Sequence, residues 1–105
     1  MNLPKVLTDL VAAQNNFDSE AYANCFSETA VVFDEGKTHR GKAEIKSWIA
    51  KANGTYKTVM KPLDYSPDQQ MLEAEISGTF PGSPLVLKYQ LEIADGLIQS
   101  LRITD

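Results

Sequence analysis

Residues 85–97 read LVLKYQLEIADGL, and this stretch decides the fold class. Leucine, tyrosine and isoleucine recur at every second position, and the residues between them are mostly charged or polar. Alternation of this kind is typical of a β-strand with one buried face. Asp95-Gly96 then supplies the dipeptide that favours a tight two-residue hairpin turn. The stretch therefore predicts a hairpin in an antiparallel sheet with one apolar and one charged face.

The rest of the chain after Gly54 also has the character of strands. Residues 72–80 alternate in the same way, residues 55–63 do so more weakly, and residues 97–103 form the second arm of the hairpin. Four long strands are therefore expected in this half of the chain.

Two shorter strands are expected earlier. Ala30–Phe33 is a run of β-branched and aromatic residues, residues 34–37 have the composition of an acidic turn, and residues 38–40 form a short return strand. The two strands make a small hairpin before residue 41.

Three helices complete the pattern. Residues 3–11 carry apolar side chains at helical spacing, and Asn15-Asn16 ends that helix. Asp18 is a good N-cap for a second helix, and Gly41 opens a third, for which Asn53-Gly54 is a C-terminal signal. Helices that cover one face of an antiparallel sheet indicate the α+β class.

Composition restricts the protein to a few functional classes. A chain of 105 residues fits one domain, and its net charge of -4 with scattered basic residues argues against nucleic-acid binding. The single cysteine, Cys25, excludes an intrachain disulfide, and no Cys/His spacing predicts zinc. No cofactor motif is visible. Residues 6–13 are too short and carry a charge, so neither a signal peptide nor a membrane span is expected, and a cytoplasmic location follows by default.

Three segments resemble a known superfamily. They are FSETAVVFDEG at residues 26–36, RGKAEI at residues 40–45 and ADGLI at residues 94–98. Together with the element order, they resemble the nuclear-transport-factor-2-like proteins, which include SnoaL-like polyketide cyclases and ketosteroid isomerases. The resemblance implies one domain over residues 1–105, shaped as a cone: a strongly bent antiparallel sheet whose concave face is covered by three helices from the N-terminal half, around an apolar pocket.

The resemblance also points to a candidate carboxylate. Asp34 falls where ketosteroid isomerases carry their proton-shuttling aspartate, although the first position of an Asp-Glu-Gly turn favours an aspartate that only caps its own backbone. The position of the isomerase's oxyanion tyrosine falls on Leu10, and that of its protonated acid near Tyr89 or Leu91. Since none of these three is a matching residue, ketosteroid isomerase activity itself is not expected.

Two further residues are candidate proton donors. Tyr89 lies on the apolar strand face, where its hydroxyl could donate to a ligand, to Asp34 or to the backbone of the core. His39 is the only histidine and could act as an acid or base, or simply be solvated. Convergence of Asp34, Glu35 and His39 on a metal ion is not expected from a tight hairpin, and no metal is predicted.

Large apolar side chains are expected to form the pocket wall, where core and pocket coincide in this fold. The predicted lining residues are Leu10, Tyr22, Phe26, Phe33, Trp48, Met60, Phe80, Leu87 and Leu91. Such a pocket would hold a small apolar or aromatic molecule bearing a carbonyl or hydroxyl group. The alternatives are an isomerase, cyclase or dehydratase with Asp34 as general base and Tyr89 or His39 as donor, and a module that forms a homodimer through the outer sheet face.

Overall fold

Three helices and six strands make up the chain, and the computed structural model describes every residue from Met1 to Asp105. In chain order the elements are α1 (Lys5–Asn15), α2 (Ser19–Ala23), β1 (Phe26–Asp34), β2 (Lys37–Arg40), α3 (Gly41–Tyr56), β3 (Val59–Ser66), β4 (Met71–Ser77), β5 (Leu85–Ala94) and β6 (Leu97–Thr104). The predicted order of elements is confirmed.

The six strands form one sheet in the order β2-β1-β6-β5-β4-β3. Every neighbouring pair is antiparallel except β1 and β6, which run parallel. The expectation of a wholly antiparallel sheet is therefore wrong at this one interface, and the sheet is mixed and open. No local turn joins β1 to β6, so nothing in the sequence near either strand reveals their relative direction.

The helices lie on the concave side of the sheet, as the α+β cone requires. Helix α3 packs against β1 and β2, whereas α1 packs against β3 and α2. Alternate residues of each strand enter the core between these layers, and the deepest side chains are Tyr22, Phe26, Leu7, Leu10, Ile45, Leu72, Leu91, Ile98, Leu101 and Val32. None of the three helices has both the length and the apolar character needed to cross a membrane.

Helix α3 continues beyond Gly54, where the sequence predicts its end. It runs to Tyr56, and Lys57 with φ of 51° closes it in the left-handed conformation. Gly54 therefore lies inside the last turn. Asn53 is not a cap because its buried side chain accepts a hydrogen bond from α1. Strand β3 is displaced accordingly, beginning at Val59 and continuing to Ser66.

A polar cluster at the C-terminal end of α1, here called the Gln14 clamp, joins three elements. The buried Gln14 donates from Nε2 to Asn53 Oδ1 at 2.8 Å, to the Thr58 carbonyl at 2.7 Å and to Thr58 Oγ1 at 2.9 Å. Beside it, Asn15 exchanges two hydrogen bonds with the backbone of Met60. These bonds tie α1 to the end of α3 and to the start of β3.

Candidate functional site

Asp34 is the last residue of β1 and points to the concave side. It shares its strand face with Ala30 and Val32, whose side chains are fully buried. Its Oδ2 accepts a hydrogen bond from Trp48 Nε1 on α3 at 3.3 Å, and the carboxylate makes no hydrogen bond to the Glu35-Gly36 turn that follows it. The carboxylate is thus directed toward a helix rather than to its own turn.

The surroundings of Asp34 favour a carboxyl group that titrates above its usual range. Burial raises the pKa of Asp34, and the nearby charge of Glu35 raises it further. The hydrogen bond from Trp48 and the proximity of His39 lower the same pKa, so they oppose the first two effects. A carboxylate with a raised pKa is a stronger base for proton transfer at neutral pH.

Aromatic rings surround the Trp48 indole beside this carboxylate. The ring of His39, opposite Val32 in the β1–β2 ladder, stacks on the indole at 5.4 Å with an interplanar angle of 26°. The ring of Tyr22 meets the indole edge-on at 6.0 Å. The structure therefore brings Asp34, His39, Trp48 and Tyr22 together at one place.

Two buried tyrosines add hydroxyl groups to the same region. Tyr22 on α2 and Tyr89 on β5 are 2% and 7% exposed, and neither hydroxyl is hydrogen-bonded to a protein atom, Asp34 included. Burial raises the pKa of both phenols. The charge of Asp34 raises both further, and Tyr89 also raises that of Tyr22. Both hydroxyls therefore remain protonated at neutral pH and can donate hydrogen bonds. Tyr22, Tyr89 and Asp34 are close enough to influence one another's ionisation.

Tyr22 brings a hydroxyl to this region, whereas the sequence predicts it only as part of the apolar wall. The signal was present: a tyrosine, rather than a phenylalanine, on an apolar helix face brings a hydroxyl that needs a partner. Leu10, at the position where the isomerases have a tyrosine, is fully buried and apolar. Tyr22 is therefore the helical residue that can supply an O–H on this side of the core.

The other predicted lining residues belong to the core, with one exception. Those that are buried in it are Leu10, Tyr22, Phe26, Met60 and Leu91, and those that pack against it while partly exposed are Trp48, Phe80 and Leu87. The exception is Phe33, which alternates with Val32 and faces the convex side, where the Arg102 guanidinium lies 4.4 Å from the ring centre. The apolar run of residues 30–33 has no polar alternation, so its faces could not be assigned from the sequence.

Six cavities open at the surface of the domain, and two of them concern Asp34 or Cys25. One, of about 280 Å³, lies beside Asp34 between the β1–β2 turn and residues 102–104. The other, a groove of about 610 Å³, lies between α1, α2 and the β5–β6 turn and contains none of the candidate residues. Cys25 lines this groove, and burial raises the pKa of its thiol to about 11, so it stays protonated at neutral pH.

The acidic hairpin does not assemble a metal site. Glu35 is exposed beyond the end of β1, on the far side of Asp34 from His39. No group of three or more His, Cys, Asp or Glu side chains lies close enough together to hold a metal ion.

Comparison with known proteins places this geometry in a family. No protein-family model matches the sequence, and no curated protein matches it either. The structure, however, is similar to that of a candidate polyketide cyclase, protein SMa1630 from Sinorhizobium meliloti, with a TM-score of 0.90 and 36% identity over 97% of this chain and 95% of that chain. The chain belongs to the nuclear-transport-factor-2-like, or SnoaL-like, superfamily.

More distant members of the nuclear-transport-factor-2-like superfamily share the fold at low identity. A protein of Catenulispora acidiphila with a ketosteroid isomerase-like fold, solved in complex with trimethylamine, has a TM-score of 0.83 and 20% identity over 99% of this chain and 87% of that chain. An LEH-like epoxide hydrolase of M. tuberculosis has a TM-score of 0.80 and 15% identity over 95% of this chain and 79% of that chain. Relatives of such varied names show that membership does not determine one activity.

Proposed function

We propose that this domain binds a small, largely apolar molecule bearing a carbonyl or hydroxyl group, and that Asp34 acts on it as a general base. One observation carries the proposal: a partly buried carboxylate with a raised pKa shares its surroundings with two tyrosine hydroxyls that have no protein partner. The fully buried side-chain atoms without a partner are Ser27 Oγ and Asn53 Nδ2, so the two tyrosine hydroxyls are not sealed in the core. Accessible donors beside a carboxylate suit a ligand that accepts their hydrogen bonds.

The proposed chemistry is proton transfer next to a carbonyl. Asp34 takes a proton from the carbon beside the carbonyl, the C–H electron pair moves into the new C=C bond, and the carbonyl oxygen becomes an enolate. The hydroxyl of Tyr22 or Tyr89 donates to that oxygen as its charge develops. Where the substrate also carries a C=C bond next to the carbon that loses the proton, the enolate is a dienolate. Asp34 then returns the proton to the far carbon of that bond, the C=C bond shifts and the C=O bond re-forms, which completes an isomerisation with no other reactant.

A small organic amine is the second candidate ligand. Asp34 has no lysine or arginine within ion-pair distance, since the ion pairs of the chain join Lys5 to Asp9 and Lys42 to Glu28. The rings of Trp48 and its neighbours adjoin the carboxylate, and aromatic faces attract cations. The isomerase-like relative in complex with trimethylamine supports this alternative.

Hydrogen exchange in D2O tests the proposed base without knowledge of the natural substrate. Small cyclic ketones and enones are incubated with the protein, and NMR follows the exchange of hydrogens next to their carbonyl. A positioned general base contributes a factor of about 10²–10⁴, so Asp34→Asn should lose about that factor. Tyr22→Phe or Tyr89→Phe should lose up to about 10²–10³, the cost of one oxyanion donor.

Asp68→Asn is the matched control, because Asp68 is an exposed carboxylate in the turn between β3 and β4. It should exchange at the wild-type rate. Equal rates for Asp34→Asn and Asp68→Asn would refute the role of Asp34 as general base. Tight binding of the ketones without exchange would indicate that the domain binds such molecules and does not catalyse proton transfer. Saturable binding of trimethylammonium with none of the ketones would favour the second candidate.

Self-association and location remain proposals. We propose a homodimer through the convex sheet face, where Glu73 lies opposite Lys88 in register and Val59 and Val86 are exposed. Light scattering that gives the monomer mass at high concentration would contradict it. A cytoplasmic location is likewise proposed, and fractionation of cells that express the protein tests it.

A further inference from the structure

Trp48 is the one side chain that the structure places in hydrogen-bond contact with the candidate base. Its Nε1 donates to Asp34 Oδ2 at 3.3 Å, and no residue donates to Oδ1. We propose that Trp48 is a positioning residue for Asp34: it holds Oδ2, so that Oδ1 is the oxygen presented to the ligand. The kinetic consequence rests on the proposed function, but the contact and its effect on Asp34 do not.

The indole is fixed from two further elements. The His39 ring of β2 lies nearly parallel to it at 5.4 Å, and the Tyr22 ring of α2 meets it edge-on at 6.0 Å. Trp48 itself comes from α3, close in sequence to the buried Ile45 and Ile49. An indole packed by two rings has little freedom to turn its N–H elsewhere, so its direction is set by packing rather than by the hydrogen bond alone.

The surroundings of Asp34 exert opposing effects on its pKa. A hydrogen bond to the ionised form favours that form, whereas burial disfavours it. The titratable or charged groups around the carboxyl, taken element by element, are Glu35 in the turn, Lys37 and His39 on β2, Tyr22 on α2, Tyr89 on β5 and Arg102 on β6. Trp48 is outside this set and carries no charge, so its replacement by phenylalanine changes the pKa of Asp34 without a change in net charge.

Trp48 is also the only tryptophan, which makes the contact directly observable. Its indole N–H gives a single NMR resonance, and a proton that is shared with a carboxylate shifts when the carboxylate titrates. Between pH 3 and pH 8 we expect that resonance in the wild type to show an inflection at the pKa of Asp34. In Asp34→Asn the inflection should disappear, while the control Asp68→Asn keeps it.

Trp48→Phe gives the complementary measurement on Asp34 itself. Loss of this hydrogen bond to the ionised form should raise the pKa of Asp34, read from its carboxyl carbon resonance. His39→Phe keeps a ring against the indole and should retain the inflection, whereas His39→Ala should weaken it. Should Trp48→Phe fail to fold, the indole titration in the proteins that keep Trp48 tests the contact alone.

The kinetic arm uses the ketone exchange reaction. If Asp34 is the base, the acidic limb of the pH–rate profile should move to higher pH in Trp48→Phe, in step with the pKa of Asp34. An indole resonance that is independent of pH, or an unchanged pKa of Asp34 in Trp48→Phe, would overturn the positioning role. A normal titration with no exchange activity would instead support the positioning role and refute the general base, so the two failures are distinguishable.

Discussion

Gln14→Leu should destabilise the domain strongly, although leucine has a similar volume and is apolar. Gln14 is 5% exposed and donates to Asn53 Oδ1 and to two oxygens of Thr58. Leucine leaves the Thr58 carbonyl and the Asn53 amide without these donors. Each buried polar group that loses its partner costs about 1–3 kcal/mol, so about 2–4 kcal/mol is expected after the gain from the apolar side chain.

This loss is large against the total stability of about 5–15 kcal/mol for a domain. It corresponds to a fall of about 10–20 °C in Tm for a domain of this size. Urea denaturation followed by circular dichroism measures it. Gln69→Leu is the matched control, because Gln69 is exposed in the β3–β4 turn and should change the free energy of unfolding by less than about 0.5 kcal/mol.

A double variant sharpens the test of the Gln14 clamp. Asn53→Leu added to Gln14→Leu removes both amides, so the combined loss should be smaller than the sum of the two single losses. A loss for Gln14→Leu no greater than that for Gln69→Leu would show that the clamp contributes nothing to stability. Strict additivity in the double variant would show that the two amides act independently.

Four other predictions concern stability. Gly78→Ala would place a Cβ 2.5 Å from the Tyr56 carbonyl oxygen and should cost about 1–3 kcal/mol in urea denaturation. Gly54→Ala meets nothing within 4 Å in α3 and should gain about 0.5–1 kcal/mol. Asp18→Ala removes the N-cap of α2 and should cost about 1 kcal/mol. Because the fold raises the pKa of Asp34, its ionisation destabilises the folded state as pH rises through that pKa. Asp34→Asn should therefore gain in Tm relative to wild type between pH 3 and pH 7, and a constant difference would contradict this.

Local patterns in the sequence predicted the elements correctly where local chemistry decides them. The alternation of residues 87–93 and the Asp95-Gly96 turn both hold, with Asp95 and Gly96 at φ of 54° and 75°, whereas Leu85 at the start of β5 is exposed. The parallel pairing of β1 with β6 could not be predicted, because it joins segments about 70 residues apart through no turn of their own. The predicted end of α3 was wrong, because the Asn53 side chain accepts a buried hydrogen bond from Gln14 and does not cap the helix.

The candidate site was predictable only in part, for the same reason. Asp34 could be located from the resemblance of its segment. Its concave orientation could not be predicted, because the apolar run of residues 30–33 has no alternation from which the faces can be assigned. Its contact with Trp48 could not be found, because it depends on how α3 crosses β1. The hydroxyl of Tyr22 was overlooked since only the fold brings α2 over the same carboxylate.

The position of β6 in the sheet has a consequence for how the protein is made. This strand lies between β1, which carries Asp34, and β5, which carries Tyr89, and it is the last strand of the fold. A nascent chain therefore holds both residues before any strand lies between the two strands that bear them. The two halves of the site come into register only when residues 97–104 leave the ribosome and insert between them, so the fold and its chemistry are completed in a single late step.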